Sequence, residues 1–399
     1  MPPASRRLYS GRWHSAATEQ LRKPLNKTFD VIVVGLGAMG SAAAYHLSAK
    51  GLRVLGLDRF KPPHTLGSSH GLTRVIREAY FEHPSYVPLV QRAYELWADL
   101  EQKSGRKLLL QTGGLMIGPP DGALVAGAKR SAEEHKLPHE VLSAAQVHRR
   151  FPAFRPDDDM VAILEPRAGI LFPEKAVETH LDLAAKNGAS FHFDEPVVNW
   201  QPNGSGVQVS TGTDCYFADR LVISAGPWAG SLLPGLPLPL AIERQVLCWF
   251  EPQSQPDLFR PESFPIYLFQ YAPRGFFYGF PDLGDGIKVA LHHGGEVGPL
   301  ENVRREVDDT DIASVRRLLR QFVPKADGRF ISATVCVYTN APDEHFVLGP
   351  HPAHSQVIIA SPCSGHGFKF AAAIGEVLAG MVAGVDSPFD LSLFRPDRQ

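Results

Sequence analysis

Three glycines between residues 35 and 40 form a G-x-G-x-x-G motif that could hold the diphosphate of a dinucleotide. The motif follows an apolar run, 29–34, typical of a buried strand, and opens an Ala-rich predicted helix. Gly35 permits a tight turn, Gly37 lets a diphosphate approach the backbone, and Gly40 allows close packing of helix on strand. Asp58 ends the next predicted strand and could accept hydrogen bonds from a ribose. The pattern predicts a βαβ dinucleotide site, which could take either NAD or FAD.

A basic segment follows a short loop beyond Asp58. It contains His70, Thr73, Arg74 and Arg77. The two arginines are three positions apart and would share one face if the segment were helical. On local sequence alone, the segment fits a solvated basic helix equally well.

Two glycines and a lysine precede the last predicted helix, 370–382. Gly365 and Gly367 would expose backbone N–H groups at the positive end of the helix dipole, and Lys369 adds a cation. Such an end suits an electron-rich ring edge, for example that of a reduced flavin. The alternative is an ordinary strand-to-helix turn.

The four cysteines, at 215, 248, 336 and 363, are far apart and form no C-x-x-C pair. This spacing argues against a metal site and a disulfide framework, and it favours a reduced, cytoplasmic location. Cys336 is followed by Tyr338 and an acidic turn, which is not a metal-ligand spacing. A lone cysteine is most often a small buried apolar residue.

The composition excludes several classes of partner. The 399-residue chain has a formal net charge of −2 and 44% hydrophobic residues. Neither nucleic acid nor an anionic membrane is therefore expected as a partner, and no apolar run is long enough to span a bilayer. Residues 1–28 are basic, and we expect a flexible extension. The alternative is a transit peptide, which would imply an organelle.

Six motifs occur in an order that resembles the family of monomeric sarcosine oxidases and N-methyltryptophan oxidases, which also includes pipecolate oxidases. They are the glycine motif, PPH with GSSHGLTRVIREAY (62–80), YGFP (278–281), IKVALHHGG (287–295), CVYTNAPDEHF (336–346) and SGHGFKF (364–370). The resemblance covers residues 29 to about 394. It implies an α/β fold: a glutathione reductase-like, FAD-binding βαβ domain with a mixed-sheet α+β substrate domain.

The resemblance also implies roles for individual residues. Cys336 matches the cysteine that bonds covalently to the flavin, and Lys288 matches the lysine beside the flavin where oxygen reacts. Arg77 and Lys369 match the cations that hold the substrate carboxylate. The residues matching the substrate pocket are His292, Tyr278 and Tyr338. Those expected to contact the cofactor are Gly35, Gly37, Gly40, Asp58, His70, Thr73, Arg74, Val197, Cys336, Gly365, Gly367 and Lys369.

The implied activity is the oxidation of a secondary amino acid, N-methyl or cyclic, by a monomer that reduces oxygen to hydrogen peroxide. The imine product is hydrolysed to an aldehyde and an amine. Alternatives are N-methyltryptophan or pipecolate oxidation, or a dehydrogenase of the same fold that passes electrons to a carrier. The chain departs from the family pattern at Ser69, Leu72 and Cys363, and Cys363 offers a second thiol near the flavin.

The order of the predicted elements indicates a discontinuous FAD-binding domain. We expect it to comprise residues 29–110, 171–243 and 336–399. Residues 111–170 and 244–335 would then form the substrate domain.

Overall fold

The computed structural model describes residues 28–236 and 239–398. The extension predicted for residues 1–28 therefore falls outside the described residues, apart from Thr28, which begins the first strand.

Within the described ranges the chain forms twenty strands and eight α-helices. The strands are β1 (Thr28–Val34), β2 (Val54–Leu57), β3 (Arg74–Ile76), β4 (Leu109–Gln111), β5 (Gly114–Gly118), β6 (Glu140–Ser143), β7 (Val161–Glu165), β8 (Gly169–Leu171), β9 (Ser190–His192), β10 (Val197–Asn203), β11 (Gly206–Thr211), β12 (Cys215–Ile223), β13 (Ala241–Phe250), β14 (Ile266–Ala272), β15 (Gly275–Phe280), β16 (Ile287–His292), β17 (Val297–Gly298), β18 (Phe330–Asn340), β19 (Val347–His351) and β20 (His354–Ser361). The helices are α1 (Ala38–Ala49), α2 (Val87–Ser104), α3 (Ala123–Glu134), α4 (Ala144–Arg150), α5 (Pro173–Lys186), α6 (Ala229–Leu232), α7 (Asp309–Phe322) and α8 (Ala371–Val382).

The first sheet carries the glycine motif. Strands β20, β12, β1, β2 and β9 lie side by side in this order, and all are parallel. Val31 and Val33 of β1 pack with the core formed by helices α1, α2, α5 and α8, whereas Ile32 and Val34 pack on the opposite face with strands β10 and β11. Because both faces are covered, the strand is apolar at successive positions, as the sequence predicted.

Strand β12 is one continuous nine-residue strand that takes part in two kinds of pairing. Its first half pairs antiparallel with β11, and its second half lies parallel to β1 and β20. A continuous strand thus joins the hairpin to the parallel core.

The second sheet has nine strands, in the order β17-β13-β16-β15-β14-β5-β7-β6, with β18 paired to β13. One face packs on helix α7 through Val315, Leu319 and Phe322. The other face carries Leu247, Trp249, Ala290 and Cys336. It is this face that covers the functional cavity.

A third, three-stranded antiparallel sheet has the order β3-β8-β4. The segment from Arg74 is therefore a strand, so Arg74 and Arg77 do not share a helical face. The expected domain boundaries at 243/244 and 335/336 fall inside β13 and β18, which belong to the second sheet over their whole length. Keeping the second sheet in one domain would place these two boundaries before Ala241 and after Asn340. The other two, at 110/111 and 170/171, fall inside β4 and β8 of the third sheet.

Candidate active site

The glycine turn between β1 and α1 leaves no room for side chains. Gly35 has a φ of 87°, and a Cβ there would lie 2.5 Å from the Ser224 carbonyl oxygen. A Cβ on Gly40 would overlap the carbonyl oxygen of Gly35. The Ser69 hydroxyl accepts a hydrogen bond from the Ala38 N–H at 3.1 Å, so this departure from the family pattern supports the turn.

Asp58 lies beside this turn at the end of β2. Its two carboxylate oxygens accept hydrogen bonds from the N–H groups of Leu36, at 2.6 Å, and Phe60, at 2.9 Å. Burial raises the pKa of Asp58, and these two N–H donors oppose that effect. The carboxylate is thus held rigidly and still lines the neighbouring cavity.

A cavity extends from the glycine turn to the second sheet. The predicted site residues that line it are Gly35, Gly37, Asp58, Arg74, Arg77, Val197, Tyr278, His292, Cys336, Tyr338, Gly365, Gly367 and Lys369. Gly40, His70, Thr73 and Lys288 lie outside this lining. Gly40 packs behind the turn, and Thr73 and Lys288 bond to each other behind the cavity wall.

The register of the second sheet brings distant parts of the chain together over the cavity. Lys288 and His292 are four positions apart on β16, so their side chains point to the same face of the second sheet. Tyr278 of β15 is opposite Ala290 of β16. Cys336 and Tyr338 lie on β18, which reaches β16 through their common neighbour β13.

The Arg77 guanidinium is fully buried and already has a carboxylate partner. Its Nη2 donates to both oxygens of Glu82, at 2.9 and 2.8 Å, and its Nη1 donates to the Ala79 carbonyl at 2.8 Å. It also lies 4.4 Å from the centre of the Tyr80 ring. Burial raises the pKa of Glu82, but the combined attraction of Arg77, His366 and Lys369 outweighs it and the net shift is downward. Both groups of this pair line the cavity.

Lys369 is the second buried cation near Arg77. Its Nζ donates to the His366 carbonyl at 2.6 Å and to the Tyr80 hydroxyl at 3.3 Å, which leaves one N–H of an ammonium for the cavity. The Tyr80 hydroxyl also lies 2.6 Å from His366 Nδ1. Burial, followed by repulsion from Arg77, lowers the pKa of Lys369 to about 7. Its charge therefore depends on what else occupies the cavity.

Lys288 lies behind the cavity wall and has three acceptors around its amine. Nζ donates to the carbonyl oxygens of Gly71, at 2.7 Å, and Thr73, at 2.9 Å, and to the Thr73 hydroxyl at 3.0 Å. Burial and then repulsion from Arg74 hold the pKa of Lys288 well below its ordinary value. The three acceptors match the three N–H bonds of an ammonium, so they favour the charged form. The amine is therefore held by residues 71–73 and does not line the cavity.

His292 and Tyr338 form a hydrogen-bonded pair in the cavity wall, with His292 Nδ1 3.2 Å from the Tyr338 hydroxyl. Burial, and then the neighbouring His293, holds the pKa of His292 well below its ordinary value. Burial also raises the pKa of Tyr338 well above its ordinary value. Both groups are therefore neutral hydrogen-bonding groups at physiological pH.

A pair formed by the buried Glu243 carboxylate and the half-buried His293 lies next to them. Glu243 accepts hydrogen bonds from His293 Nδ1 at 2.9 Å, from Asn340 at 2.6 Å and from the Gly295 N–H at 2.8 Å. His293 has a φ of 64°, which brings its ring within 4.4 Å of the His292 ring. Two adjacent histidines can lie together only because this residue leaves the strand conformation. Neither this pair nor Glu82 was predicted from the sequence.

Cys336 is buried in the cavity wall, where Arg74 Nη2 lies 3.5 Å from its Sγ. Cys363 also lines the cavity. Burial raises the pKa of Cys363 to about 11, so this second thiol is protonated and less reactive.

The loop before α8 approaches the cavity closely. Gly365 has a φ of 77°, and a Cβ there would lie 2.7 Å from the Tyr338 ring. A Cβ on Gly367 would overlap the Pro362 carbonyl oxygen. Both glycines are therefore required for the backbone to form this end of the cavity.

His70 lies on the other side of Gly71, where it lines a separate pocket with Trp249. Its Nε2 is buried and has no hydrogen-bond partner among the described residues. Burial, followed by repulsion from Arg74, lowers the pKa of His70 to about 3. The structure thus separates His70 from the main cavity.

The residues present fit a bound FAD. The turn at Gly35 and Gly37 leaves the backbone open at one end of the cavity, as a diphosphate requires. The Thr339 hydroxyl lines the same cavity beside the Cys363 thiol and offers a polar group to a ligand there. No group of acidic, His or Cys side chains within residues 28–236 and 239–398 could hold a metal ion.

Sequence comparison places the chain among flavoenzymes. The family described as FAD dependent oxidoreductase matches residues 30–381. Monomeric sarcosine oxidase of Streptomyces avermitilis is 46% identical over 94% of this chain and 98% of that protein. N-methyl-L-tryptophan oxidase of Yersinia pestis is 36% identical over 92% of this chain and 98% of that protein.

Solved structures show the same fold. NikD, an unusual amino acid oxidase essential for nikkomycin biosynthesis, superposes in its open form with a TM-score of 0.80 and 24% identity, covering 93% of this chain and 98% of NikD. Glycine oxidase from Geobacillus kaustophilus gives a TM-score of 0.78 at 18% identity, covering 94% and 99% of the two chains. The α/β fold with a dinucleotide domain and a mixed-sheet domain, predicted from sequence, is thereby confirmed.

These comparisons cover almost the whole chain and agree with the glycine turn and the cavity. No helix in the described part of the chain is long and apolar enough to cross a membrane. The chain belongs to the FAD-dependent oxidoreductase family and, within it, to the monomeric sarcosine oxidases and N-methyl-L-tryptophan oxidases.

Proposed function

We propose that the protein oxidises a secondary amino acid, N-methyl or cyclic, to an imine that water hydrolyses to an aldehyde and an amine. Oxygen would be reduced to hydrogen peroxide. The observation that carries the proposal is the pair of buried cations, Arg77 and Lys369, in the cavity that begins at the glycine turn. Bound FAD would supply the redox chemistry, accepting a hydride from the substrate and passing two electrons to oxygen.

The two cations provide a site for the substrate carboxylate. Lys369 has one N–H directed neither to His366 nor to Tyr80, and Arg77 is held beside it by Glu82. Charge-assisted bonds to a carboxylate in a buried site are strong because water does not compete. A bound carboxylate would also balance the positive charge and restore the pKa of Lys369.

The same charges act on the substrate amine. The amine must be neutral before its α-carbon can surrender a hydride, and nearby cations lower the pKa of an ammonium. His292 is uncharged and bonded to Tyr338, so it offers a neutral polar group near the amine. We assign Tyr278 and Tyr338 to the walls that orient the substrate.

We assign Cys336 as the covalent anchor of FAD and Lys288 as the group that favours oxygen reduction. The position of Cys336 supports the first assignment, since it lines the cavity with Arg74 Nη2 3.5 Å from its Sγ. The burial of Lys288 supports the second, since a charge in a site without water acts strongly on developing negative charge. A monomeric state and a cytoplasmic location complete the proposal.

An oxygen-electrode assay of the purified protein with sarcosine, N-methyltryptophan and pipecolate tests the proposal. We expect oxygen uptake and hydrogen peroxide formation with at least one of them. Rapid anaerobic bleaching of the flavin with slow reoxidation would indicate instead a dehydrogenase that uses a carrier. A yellow protein that none of these amino acids bleaches would contradict the proposed function.

A further inference from the structure

Glu165 lies outside the cavity but holds the chain next to Arg77. It ends β7 in the second sheet, and its side chain is 1% exposed. One carboxylate oxygen accepts the Glu78 N–H at 2.6 Å, and the other accepts the Ala79 N–H at 2.8 Å. Two successive peptide N–H groups are thus bound by one carboxylate from a distant part of the chain.

This contact acts directly on the backbone of Arg77. The Glu78 N–H belongs to the peptide unit that follows the Arg77 Cα, so fixing it fixes the backbone torsion of Arg77. Ala79 also accepts a hydrogen bond from Arg77 Nη1 at 2.8 Å, so one residue joins the guanidinium to the Glu165 carboxylate. The position of the buried guanidinium therefore depends on Glu165.

The contact requires an ionised carboxylate. Both oxygens accept N–H bonds, and a proton on either oxygen would face a donor. Burial raises the pKa of Glu165 to about 7, while the two N–H bonds and Arg77 oppose that rise and Glu78 adds to it. The other charged or titratable groups near this cluster are Arg167 and Tyr94.

Glu78 offers a matched control. Its side chain is also 1% exposed, but its carboxylate lies 3.3 Å from Arg167 Nη1 and binds no peptide N–H of the Arg77 segment. Glu78→Gln thus removes a neighbouring buried charge and leaves the contact with the backbone intact.

We propose that Glu165 is a positioning residue for the substrate carboxylate: it places Arg77 and thereby determines substrate affinity, with no effect on the rate of hydride transfer once the substrate is bound. The inference rests on the proposed function, in which Arg77 binds the substrate carboxylate. No contact of Glu165 with substrate or cofactor is involved.

The test compares the wild-type holoenzyme with Glu165→Gln and Glu78→Gln. Glutamine keeps one acceptor oxygen but presents an NH₂ group to the other peptide N–H. We expect Glu165→Gln to weaken the binding of sarcosine, measured by anaerobic stopped-flow, by about tenfold or more, because a small displacement of a positioning group is costly. The limiting rate of flavin reduction should stay close to that of the wild type. Glu78→Gln should change neither quantity.

Acetate binding, measured by calorimetry, provides a readout that does not depend on turnover. Glu165→Gln should weaken acetate binding as much as it weakens sarcosine binding. Unchanged binding of acetate, or an equal loss in Glu78→Gln, would overturn the inference. If Glu165→Gln does not fold, Glu165→Asp keeps the charge and should show a smaller loss of acetate affinity; wild-type affinity in that variant would also overturn it. If the wild type binds acetate but no secondary amino acid reduces it, the proposed function fails and the acetate comparison still decides the role of Glu165.

Discussion

At the nucleotide end of the cavity the chain excludes side chains, whereas at the substrate end it buries charged ones. The turn at Gly35 and Gly40 is built within one βαβ unit, and its shape depends on backbone contacts with no room for a Cβ. The substrate end combines Arg77, Lys369 and Lys288, which come from three separate segments and are all at most 5% exposed. Sterics define the first region, and desolvated charges with specific partners define the second. A small change in the first region should therefore abolish FAD binding, whereas a change in the second should weaken substrate binding or slow one reaction step.

The largest effect is expected for Gly40→Val. Its side chain would overlap the Gly35 carbonyl oxygen, and overpacking at a backbone contact cannot be relieved by rotation of a side chain. We expect the purified variant to contain no FAD, measured by the ratio of flavin to protein absorbance. Gly51→Asn is the control, because Gly51 has open space around it and asparagine tolerates its positive φ of 79°. If the purified Gly40→Val protein is yellow, it contains FAD, and steric exclusion of side chains does not define the nucleotide end of the cavity.

Cys336→Ser is expected to abolish the covalent attachment of FAD completely. With Cys336 as the anchor, FAD stays with the wild-type polypeptide after acid precipitation and is released from the variant. Cys363→Ser should keep its FAD, because the pKa of Cys363 is raised to about 11 and its thiol is unreactive. If the Cys336 variant still retains FAD and the Cys363 variant loses it, the anchor is Cys363.

Lys288→Met removes a buried charge and keeps the volume of the side chain. We expect the oxidative half-reaction to slow by about 100-fold or more, because one preorganised charge in a buried site contributes on this scale. Anaerobic flavin reduction should change far less. Stopped-flow measurement of both half-reactions separates the two roles: slowing of flavin reduction alone would assign Lys288 to the substrate.

Arg77→Ala should weaken substrate binding by about 10- to 100-fold, the effect of losing charge-assisted bonds of about 1.5–3 kcal/mol. The variant also leaves Glu82 buried without its partner, which destabilises the fold. The double variant Arg77→Ala, Glu82→Gln should recover thermal stability without recovering affinity. Recovery of affinity as well would show that the single variant was merely unstable.

The smallest effect concerns pH. The pKa of Lys369 is lowered to about 7, so the free protein loses this charge as the pH rises through that value. A bound anion favours the charged form, and acetate affinity should therefore fall between pH 7 and 9, by at most about tenfold per pH unit. Lys369→Met should bind acetate weakly and with little dependence on pH over this range. An equally steep dependence in Lys369→Met would assign the titration to another group.

The ordered motifs of the sequence predicted several residues of the substrate end, but they did not predict the partners of these residues or the pocket in which each lies. Arg77 was expected as a cation that holds the substrate carboxylate, and the structure adds Glu82 as its partner. Lys288 was expected beside the flavin, and the structure adds three acceptors around its amine. His70 was expected at the flavin and lies in a separate pocket. Such partners come from the packing of distant segments, so their spacing along the chain does not predict the contact.

The sequence by itself determined the dinucleotide unit, because the apolar strand, the glycines, the helix and Asp58 are consecutive and each has a local steric or hydrogen-bonding reason. The ordered motifs likewise determined the family. Tertiary structure alone decided which distant side chains meet, such as Glu165 with the Arg77 segment and Glu243 with His293. The physical reason is that a buried charge is tolerated only with partners, and only the folded packing of the two sheets brings those partners within hydrogen-bonding distance.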